Sequence, residues 1–422
     1  MQNYKRTKLS CYYSYLSMAS IFSLPPLLFN TFHDIYGVSY TLLGTLVAVN
    51  FCTQLTIDLI FTFFTKYFNI KKTVTVMPLI TSIGMLIYAL VPWFFPEYAY
   101  IGLVIGTCVF SISAGLSEVL LSPVVAAIPS ETPDRDMSLL HSLYAYGVVS
   151  VVVISTLFLR IFGTENWMYL TLFWAALPVI AFFMFSTSPM PEVNVSSSEN
   201  GKNASKKHLI MTLCVLCIFF GSAAENSMTN WISSYIESAL HLPKVLGDIL
   251  GMALFGICLG LTRTWYAKKG KNIYKVLFFG MTGAAICYLI AGLSPVPVLS
   301  LFACVLMGIC TSMLWPGSLI LMEEKLPHVG VAAYALMAAG GDFGASIAPQ
   351  MLGIVVDKVS ESSFALNLSE SLSLTTEQIG MKAGMIAAAV FPCIGIGILL
   401  IIRKKLASHQ PSAPGLGDEG VS

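Results

Sequence analysis

The chain has 422 residues, of which 56% are hydrophobic and only 11% are charged, and its formal net charge is +1. Soluble domains carry about 25% charged residues, so a soluble fold of this length could not cover so much apolar surface. The near-neutral charge gives no support to a nucleic-acid partner, and we expect none. The composition therefore predicts a polytopic membrane protein whose main surroundings are the lipid bilayer.

Twelve apolar stretches are long enough to cross a membrane as helices, because about 20 residues span its hydrocarbon core. They lie at residues 11–32, 39–64, 73–95, 100–128, 137–161, 166–186, 209–237, 245–266, 273–293, 297–322, 331–356 and 378–402. A polar, serine-rich stretch at 187–208 separates the first six from the last six and is predicted to be a linker. We therefore predict an all-α membrane protein with twelve transmembrane helices in two six-helix bundles, residues 1–186 and 209–402, followed by a disordered tail at 403–422.

The basic residues predict an orientation through the positive-inside rule. If both termini are cytoplasmic, the 23 lysines and arginines all fall in cytoplasmic segments except Arg160, Lys244, Lys358 and Lys382. The sequence therefore predicts a multi-pass protein of the cell membrane with cytoplasmic termini and a cytoplasmic linker. No small-residue cleavage site follows the basic N-terminus, so we expect the first helix to be retained.

The fourth apolar stretch carries a single acid, Glu118, near its middle. Ser111, Gly115 and Ser122 fall on the same helical face as this carboxyl. An ionisable group at that depth costs about 3 kcal/mol or more unless it faces a polar interior or is protonated. Glu118 is therefore a candidate for a transport role, and a hydrogen-bonded structural carboxyl is the alternative.

Polar residues on three further helices, together with one tryptophan, form candidate binding positions. They are Asn50 and Gln54 on the second helix, Glu225, Asn226 and Asn230 on the seventh, Trp315 on the tenth and Asp342 on the eleventh. Amides both donate and accept hydrogen bonds and an indole can stack on a sugar ring, so this set suits a hydroxyl-rich solute. We expect Glu225 and Asp342 to act as polar gates, with interhelical packing as the alternative role for Asp342 and Trp315.

Charged residues near the predicted cytoplasmic ends are candidates for gate or loop contacts. They are Asp58, Lys66, Lys71, Lys72 and Arg263. Asp58 lies about two turns from the cytoplasmic end of its helix, so we expect it to contact a loop cation. The alternative for the basic residues is that they only set topology. His141, near the inner surface, is a candidate proton relay, with a packing histidine as the alternative.

Six helices, a cytoplasmic linker and six more helices resemble the major facilitator superfamily of secondary transporters over essentially the whole chain. Its members hold the substrate near mid-membrane between two six-helix halves. The superfamily signature between the second and third helices is degenerate here. Lys71 and Lys72 are present, but Thr65 stands where an acid is expected and Asn69 where a glycine is expected.

Three runs look like the sugar-type branch that includes the fucose permeases. They are Gly115-Leu-Ser-Glu118 followed by Pro123, His141-Ser-Leu-Tyr144-Ala-Tyr146-Gly147, and Gly221-Ser-Ala-Ala-Glu225-Asn226 followed by Trp231. The resemblance implies that Glu118 is the proton-coupling carboxylate. A second functional acid on the first helix of those permeases has no counterpart, because Asp34 lies at or beyond the end of that helix.

Together these features predict a secondary active permease that moves a small polar solute, a sugar or sugar derivative, by alternating access. Coupling to protons is expected, with facilitated transport as the variant without coupling. Two alternatives remain: efflux of drugs or metabolites by the same fold, and a transporter-like sensor or membrane enzyme. No catalytic triad, nucleotide-binding loop or zinc motif stands out in the sequence, so we predict no enzyme, no metal and no cofactor other than a proton gradient. We expect a monomer.

Overall fold

The computed structural model describes residues 4–64, 67–131, 133–191, 204–240, 242–326 and 331–407. Lys66, most of the predicted linker and the tail beyond residue 407 lie outside the described residues. Within the described ranges the regular structure is helical, and no strand occurs there. The fold class predicted from the sequence is therefore confirmed.

In this described part, twelve helical segments run back and forth between the two ends of the molecule. In the first half, α1 is Lys5–Leu27 with its continuation Phe29–Tyr36, α2 is Tyr40–Phe64, α3 is Ile70–Phe94, α4 is Ala99–Ala126, α5 is Pro133–Phe162 and α6 is Trp167–Ser186. In the second half, α7 is Ala204–Ser234 continued by Tyr235–Ala239, α8 joins Lys244–Leu246, Gly247–Ala253 and Leu254–Lys269, α9 is Ile273–Leu293, α10 joins Pro297–Thr311 and Leu314–Lys325, α11 is Val331–Ser360 and α12 joins Thr376–Ala388 and Val390–Ala407. We call the end where α1 begins and α12 ends the terminal face, and the opposite end the far face.

Ten of these segments, as far as they are described, are long and apolar enough to cross a membrane, and α1 and α11 are not among the ten. The reason is that these two helices carry more polar and small residues than the others. On α1 the serines Ser10, Ser14, Ser17, Ser20 and Ser23 are all buried. Polar side chains buried inside a bundle face other helices rather than lipid, so α1 and α11 are interior helices.

A short helix, Ser363–Leu372, lies between α11 and α12, where the sequence predicted no spanning helix. Ser362 caps it by accepting a hydrogen bond from the backbone N–H of Ala365 at 3.2 Å. Thr375 and Gln378 then form a reciprocal capping box at the start of α12. A polar amphipathic helix has no long apolar run, which is why hydropathy alone did not separate it from a loop.

Glycines allow the two halves to meet closely where α2 packs against α11. A Cβ atom on Gly44 would lie 2.9 Å from the Cα of Gln350, and one on Gly353 would collide with the backbone carbonyl of Tyr40. Small residues permit such backbone contact between membrane helices. This contact fixes the position of α2, which carries several of the candidate site residues.

The carboxylate of Asp357, on α11, caps the first turn of α2 from the other half of the molecule. Its oxygens accept hydrogen bonds from the backbone N–H groups of Tyr40 at 3.3 Å and Thr41 at 2.6 Å. The Tyr40 hydroxyl donates to Glu377, and the Gln350 amide donates to the carbonyl of Thr41 at 3.2 Å. Helix N-termini leave N–H groups without intrahelical partners, and an acid is the preferred group to satisfy them.

A second set of contacts at the far face surrounds Lys244 at the start of α8. Its ammonium group donates to the carbonyl of Leu27, where α1 is interrupted, at 2.7 Å. It also lies 3.6 Å from the carboxylate of Asp248, which is fully buried and accepts a hydrogen bond from Thr156 of α5 at 3.0 Å. Asn30 donates to Glu237 at 2.7 Å. These polar contacts join the halves and hold the far face closed.

At the terminal face, α1 is tied to α5 within the first half. Lys8 forms an ion pair with Asp136, which lies in the first turns of α5 before the apolar span 143–162. Hydrogen bonds from Lys8 and from Ser130 hold the pKa of the Asp136 carboxyl below its ordinary value. The contact therefore stabilises the first half as a unit.

Replacing Asp357 with alanine should open the far face more often, because the N-terminus of α2 loses its cap from the other half. An N-cap contributes about 1 kcal/mol, which corresponds to a change of roughly fivefold in the ratio of closed to open molecules. Pulsed electron–electron spin resonance would measure this ratio from the distance between spin labels at Glu165→Cys and Glu361→Cys, which are exposed on opposite halves.

The labelled background should carry serine in place of the exposed thiols Cys52 and Cys393. Asp34→Ala is the matched control, because Asp34 is an exposed acid near the same face. An unchanged distance distribution in Asp357→Ala would show that the cap does not hold the halves together.

Candidate functional site

A small cavity lies between the two halves, at the level of the interruption in α1. Its volume is about 10 Å³, room for roughly one water molecule. Its lining comes from α1, α2, α4 and α7, and consists of Ile21, Phe22, Pro25, Pro26, Phe29, Leu46, Val47, Asn50, Thr107, Phe110 and Asn230. Two of the residues predicted to bind solute, Asn50 and Asn230, therefore face one space from opposite halves.

Two adjacent prolines shape the α1 side of the cavity. Proline has no backbone N–H, so Pro25 and Pro26 cannot donate the helical hydrogen bonds to the carbonyls of Ile21 and Phe22. The α1 helix ends at Leu27 directly afterwards and restarts at Phe29. Neither proline is among the residues predicted to form the site, although two prolines inside an apolar span are a signal of an interrupted helix.

Asn50 is held in position by two neighbours that do not line the cavity. Its Oδ1 accepts hydrogen bonds from the Gln54 amide at 3.1 Å and from the Ser111 hydroxyl of α4 at 2.6 Å. Gln54 is 1% exposed and Asn50 is 8% exposed, so Gln54 lies behind Asn50 and supports it. With Oδ1 occupied, Asn50 presents its amide N–H groups to the cavity.

The α7 side contributes one amide to the cavity rather than two. The Asn230 amide nitrogen donates to the backbone carbonyl of Asn226 at 2.8 Å, which leaves its Oδ1 as an acceptor. Asn226 instead donates to the carbonyl and the hydroxyl of Ser222, both at 3.1 Å. Asn226 is not among the lining residues, so the structure places it on the same helix but outside the cavity.

Three carboxyl groups from both halves form a cluster on the terminal side of the cavity. Asp58 of α2 and Asp342 of α11 are both 2% exposed, and their carboxyl groups lie within electrostatic range of each other. Glu118 of α4 lies within electrostatic range of both. Asp58 is two turns along α2 from Asn50, about 12 Å at 1.5 Å per residue. Asp58 thus meets acids from other helices, while the predicted loop cations Lys71 and Lys72 are exposed at the start of α3.

Arg263 lies inside the second half and pairs with Glu225. Its guanidinium is 3.2 Å from a Glu225 carboxylate oxygen, and its Nε donates to the carbonyl of Ser312 at 2.8 Å. That carbonyl lacks its helical donor because Pro316 stands four residues later, where α10 is interrupted. The hydroxyl of Tyr144 from α5 lies within electrostatic range of Glu118 and of this pair.

Trp315 packs against α11 and does not line the cavity. A Cβ atom on Gly341 would collide with the indole ring, so the glycine makes room for it next to Asp342. The indole belongs to an apolar cluster with Ile218 and Met322. His141 lies on α5, but its side chain is outside the described residues.

Comparison with known proteins places these features in a family. The sequence model of the Major Facilitator Superfamily matches residues 12–349. No curated protein matches the chain. The structure is similar to that of a bacterial homolog of the human lysosomal transporter Spinster in an inward-facing and occupied conformation, with a TM-score of 0.79, 12% identity and coverage of 98% of this chain and 100% of that chain.

Two further solved structures are similar at comparable identity. A D-xylose–proton symporter has a TM-score of 0.71 and 14% identity, with coverage of 92% of this chain and 97% of that chain. The Escherichia coli fucose:proton symporter FucP has a TM-score of 0.60 and 13% identity, with coverage of 95% and 99%. Structural similarity at 12–14% sequence identity shows that the fold is shared. The match of the superfamily model over most of the chain shows the family. The chain is a member of the Major Facilitator Superfamily of multi-pass membrane transporters, and its function is transport rather than catalysis.

Proposed function

We propose that the protein is a permease for a small neutral solute, a sugar or sugar derivative, and that it couples transport to protons. The observation that supports this most is the shared cavity, in which Asn50 of one half and Asn230 of the other face the same space. A solute bound by both amides bridges the halves, which is the arrangement that alternating access requires. With both termini in the cytoplasm, as the lysine and arginine distribution favours, the closed far face is the outer face.

The chemistry of the cavity wall favours this class of solute. The cavity as it stands has a volume of about 10 Å³, room for roughly one water molecule, so in this proposal the helices around it move apart to admit the solute. None of its lining residues carries a formal charge, so a charged solute would find no partner there. Amides and one hydroxyl offer hydrogen bonds along part of the wall, and phenylalanine rings offer an apolar surface for the remainder. A monosaccharide has both a hydroxyl-bearing edge and an apolar face.

Glu118 is the group we propose for proton coupling. It is half-buried and shares its surroundings with the carboxyl groups of Asp58 and Asp342. Like charges in a medium of low polarity repel, and a bound proton removes part of that repulsion. Ser111 lies two turns before Glu118 on α4 and bonds to Asn50, so α4 connects the solute cavity with the carboxyl cluster.

Efflux of a small amphipathic metabolite is the second candidate. The rings of Phe22, Phe29 and Phe110 supply a larger apolar share of the lining than the sequence predicted. Transport in everted vesicles, compared with right-side-out vesicles, would separate efflux from uptake.

Replacing Glu118 with glutamine should abolish concentrative uptake and leave equilibrium exchange intact. The amide keeps the volume of the side chain and cannot release or bind a proton at this position. In proteoliposomes with an inward proton gradient, we expect accumulation of radiolabelled sugar by the wild type and only equilibration by Glu118→Gln. Counterflow, which needs no gradient, should proceed in both proteins.

Glu324→Gln is the control for this experiment, because Glu324 is an exposed acid at the terminal end of α10. If Glu118→Gln still accumulates solute against its gradient, Glu118 is not the coupling group, although transport itself would stand.

Replacing Asn230 with leucine should weaken solute binding without unfolding α7, because the Asn230 amide otherwise bonds only within its own helix. Loss of a buried hydrogen-bond acceptor for a ligand costs about 1–3 kcal/mol, or roughly 5- to 150-fold in Kd. Asn226→Leu is the matched control, since Asn226 also bonds within α7 but does not line the cavity. Isothermal titration with monosaccharides would measure both. Equal losses in the two variants would mean that the cavity is not the binding site.

A further inference from the structure

The hydroxyl of Thr107 lacks the hydrogen bond that most described threonines on the spanning helices make. The typical arrangement is donation to the carbonyl four residues earlier, as in Thr53, Thr171, Thr229 and Thr282, at 2.7–3.1 Å. Thr107 as a whole is 2% exposed, and its hydroxyl has no hydrogen-bond partner in the structure. A buried hydroxyl without a partner is unfavourable and is rarely retained without a reason.

The position of Thr107 supplies a reason, because its side chain lines the cavity between the halves. It lies one helical turn before Ser111, so both hydroxyls share a face of α4. Ser111 is committed to the Oδ1 of Asn50 at 2.6 Å, which leaves Thr107 as the α4 hydroxyl available to a bound molecule.

The remaining polar groups around Thr107 define what such a molecule must offer. Asn50 presents N–H donors and Asn230 presents an acceptor, as their other hydrogen bonds require. The carbonyls of Ile21 and Phe22 lack their helical donors because of Pro25 and Pro26, and they are further acceptors on the α1 side. A hydroxyl group is both donor and acceptor, so adjacent hydroxyls satisfy this mixed set better than an amine or a carboxylate does.

We propose that Thr107 is a specificity-determining residue whose hydroxyl pairs with a hydroxyl of a small neutral polyol in the cavity. The inference rests on the proposed function, since it assigns a role to one more residue at the same site. Thr107 selects for a solute hydroxyl in one position, because a solute without it leaves the threonine hydroxyl buried and unpaired.

The test compares Thr107→Val, which keeps the shape and removes the hydroxyl, with Thr107→Ser, which keeps the hydroxyl. Binding of D-glucose, D-galactose and myo-inositol, and of their single-deoxy analogues, would be measured by isothermal titration on the full-length protein in detergent. For the tightest polyol we expect an affinity loss of about tenfold in Thr107→Val, equivalent to about 1.4 kcal/mol, and little loss in Thr107→Ser. The deoxy analogue that lacks the paired hydroxyl should bind the wild type and Thr107→Val equally.

Thr171→Val is the control, because Thr171 is a fully buried threonine whose hydroxyl bonds to its own helix. If Thr107→Val raises the thermal stability of the ligand-free protein and binds every polyol as the wild type does, the hydroxyl is only an unpaired structural group, and the inference is overturned while the proposed function stands. If the wild type binds charged or amphipathic compounds and none of the polyols, the proposed function itself fails, and the inference fails with it.

Discussion

Polar groups inside a membrane protein must find partners within the protein, and this constraint accounts for most of the site described above. Hydrocarbon offers no hydrogen bonds, so an unpaired N–H, C=O or side chain remains a cost. Prolines on two helices leave backbone carbonyls without helical donors, and the two cases differ in what surrounds those carbonyls. At α10, Pro316 leaves the carbonyl of Ser312 without a helical donor, and the guanidinium of Arg263 donates a hydrogen bond to it. At α1, Pro25 and Pro26 leave the carbonyls of two cavity-lining residues, Ile21 and Phe22, without helical donors.

Two acids of α11, Asp357 and Asp342, have different surroundings along the contact between α11 and α2. Asp357 reaches the N-terminus of α2 and receives two backbone N–H donors, so its charge is well satisfied. Asp342, about four turns earlier on the same helix, meets carboxyl groups of Asp58 and Glu118 instead of donors. Neighbouring carboxylates repel each other, and binding of a proton removes part of that repulsion. A carboxylate at a helix N-terminus is instead stabilised by the N–H groups there. The α2–α11 contact is therefore held by hydrogen bonds at the far face and brings carboxyl groups together toward the terminal face.

The sequence contained enough information for the helices but only part of the site. Apolar length depends on composition alone and identifies ten of the twelve helices, whereas α1 and α11 coincide with predicted stretches that are richer in polar residues. Polar spacing on α2 selected Asn50, which is buried and lines the cavity. The same spacing could not separate Asn230 from Asn226, because which of two asparagines on one helix face reaches a cavity depends on the partner helix. Thr107 is a single threonine in an apolar helix, and its sequence context does not differ from that of threonines that bond to their own backbone. Arg263 and Trp315 illustrate the same limit, since their neighbours Ser312 and Gly341 lie far away in the sequence.

The carboxyl cluster and the cavity occupy different levels of the bundle. The cavity lining holds no charged side chain, while the carboxyl cluster lies about two turns away along α2 and α4. A molecule in the cavity would therefore lie apart from these carboxyl groups. The groups that connect the two regions are Asn50 and Ser111, joined at 2.6 Å across α2 and α4. The same two helices pack closely next to this bond, with Gly115 of α4 against Ile57 of α2, so a displacement of one helix is passed to the other.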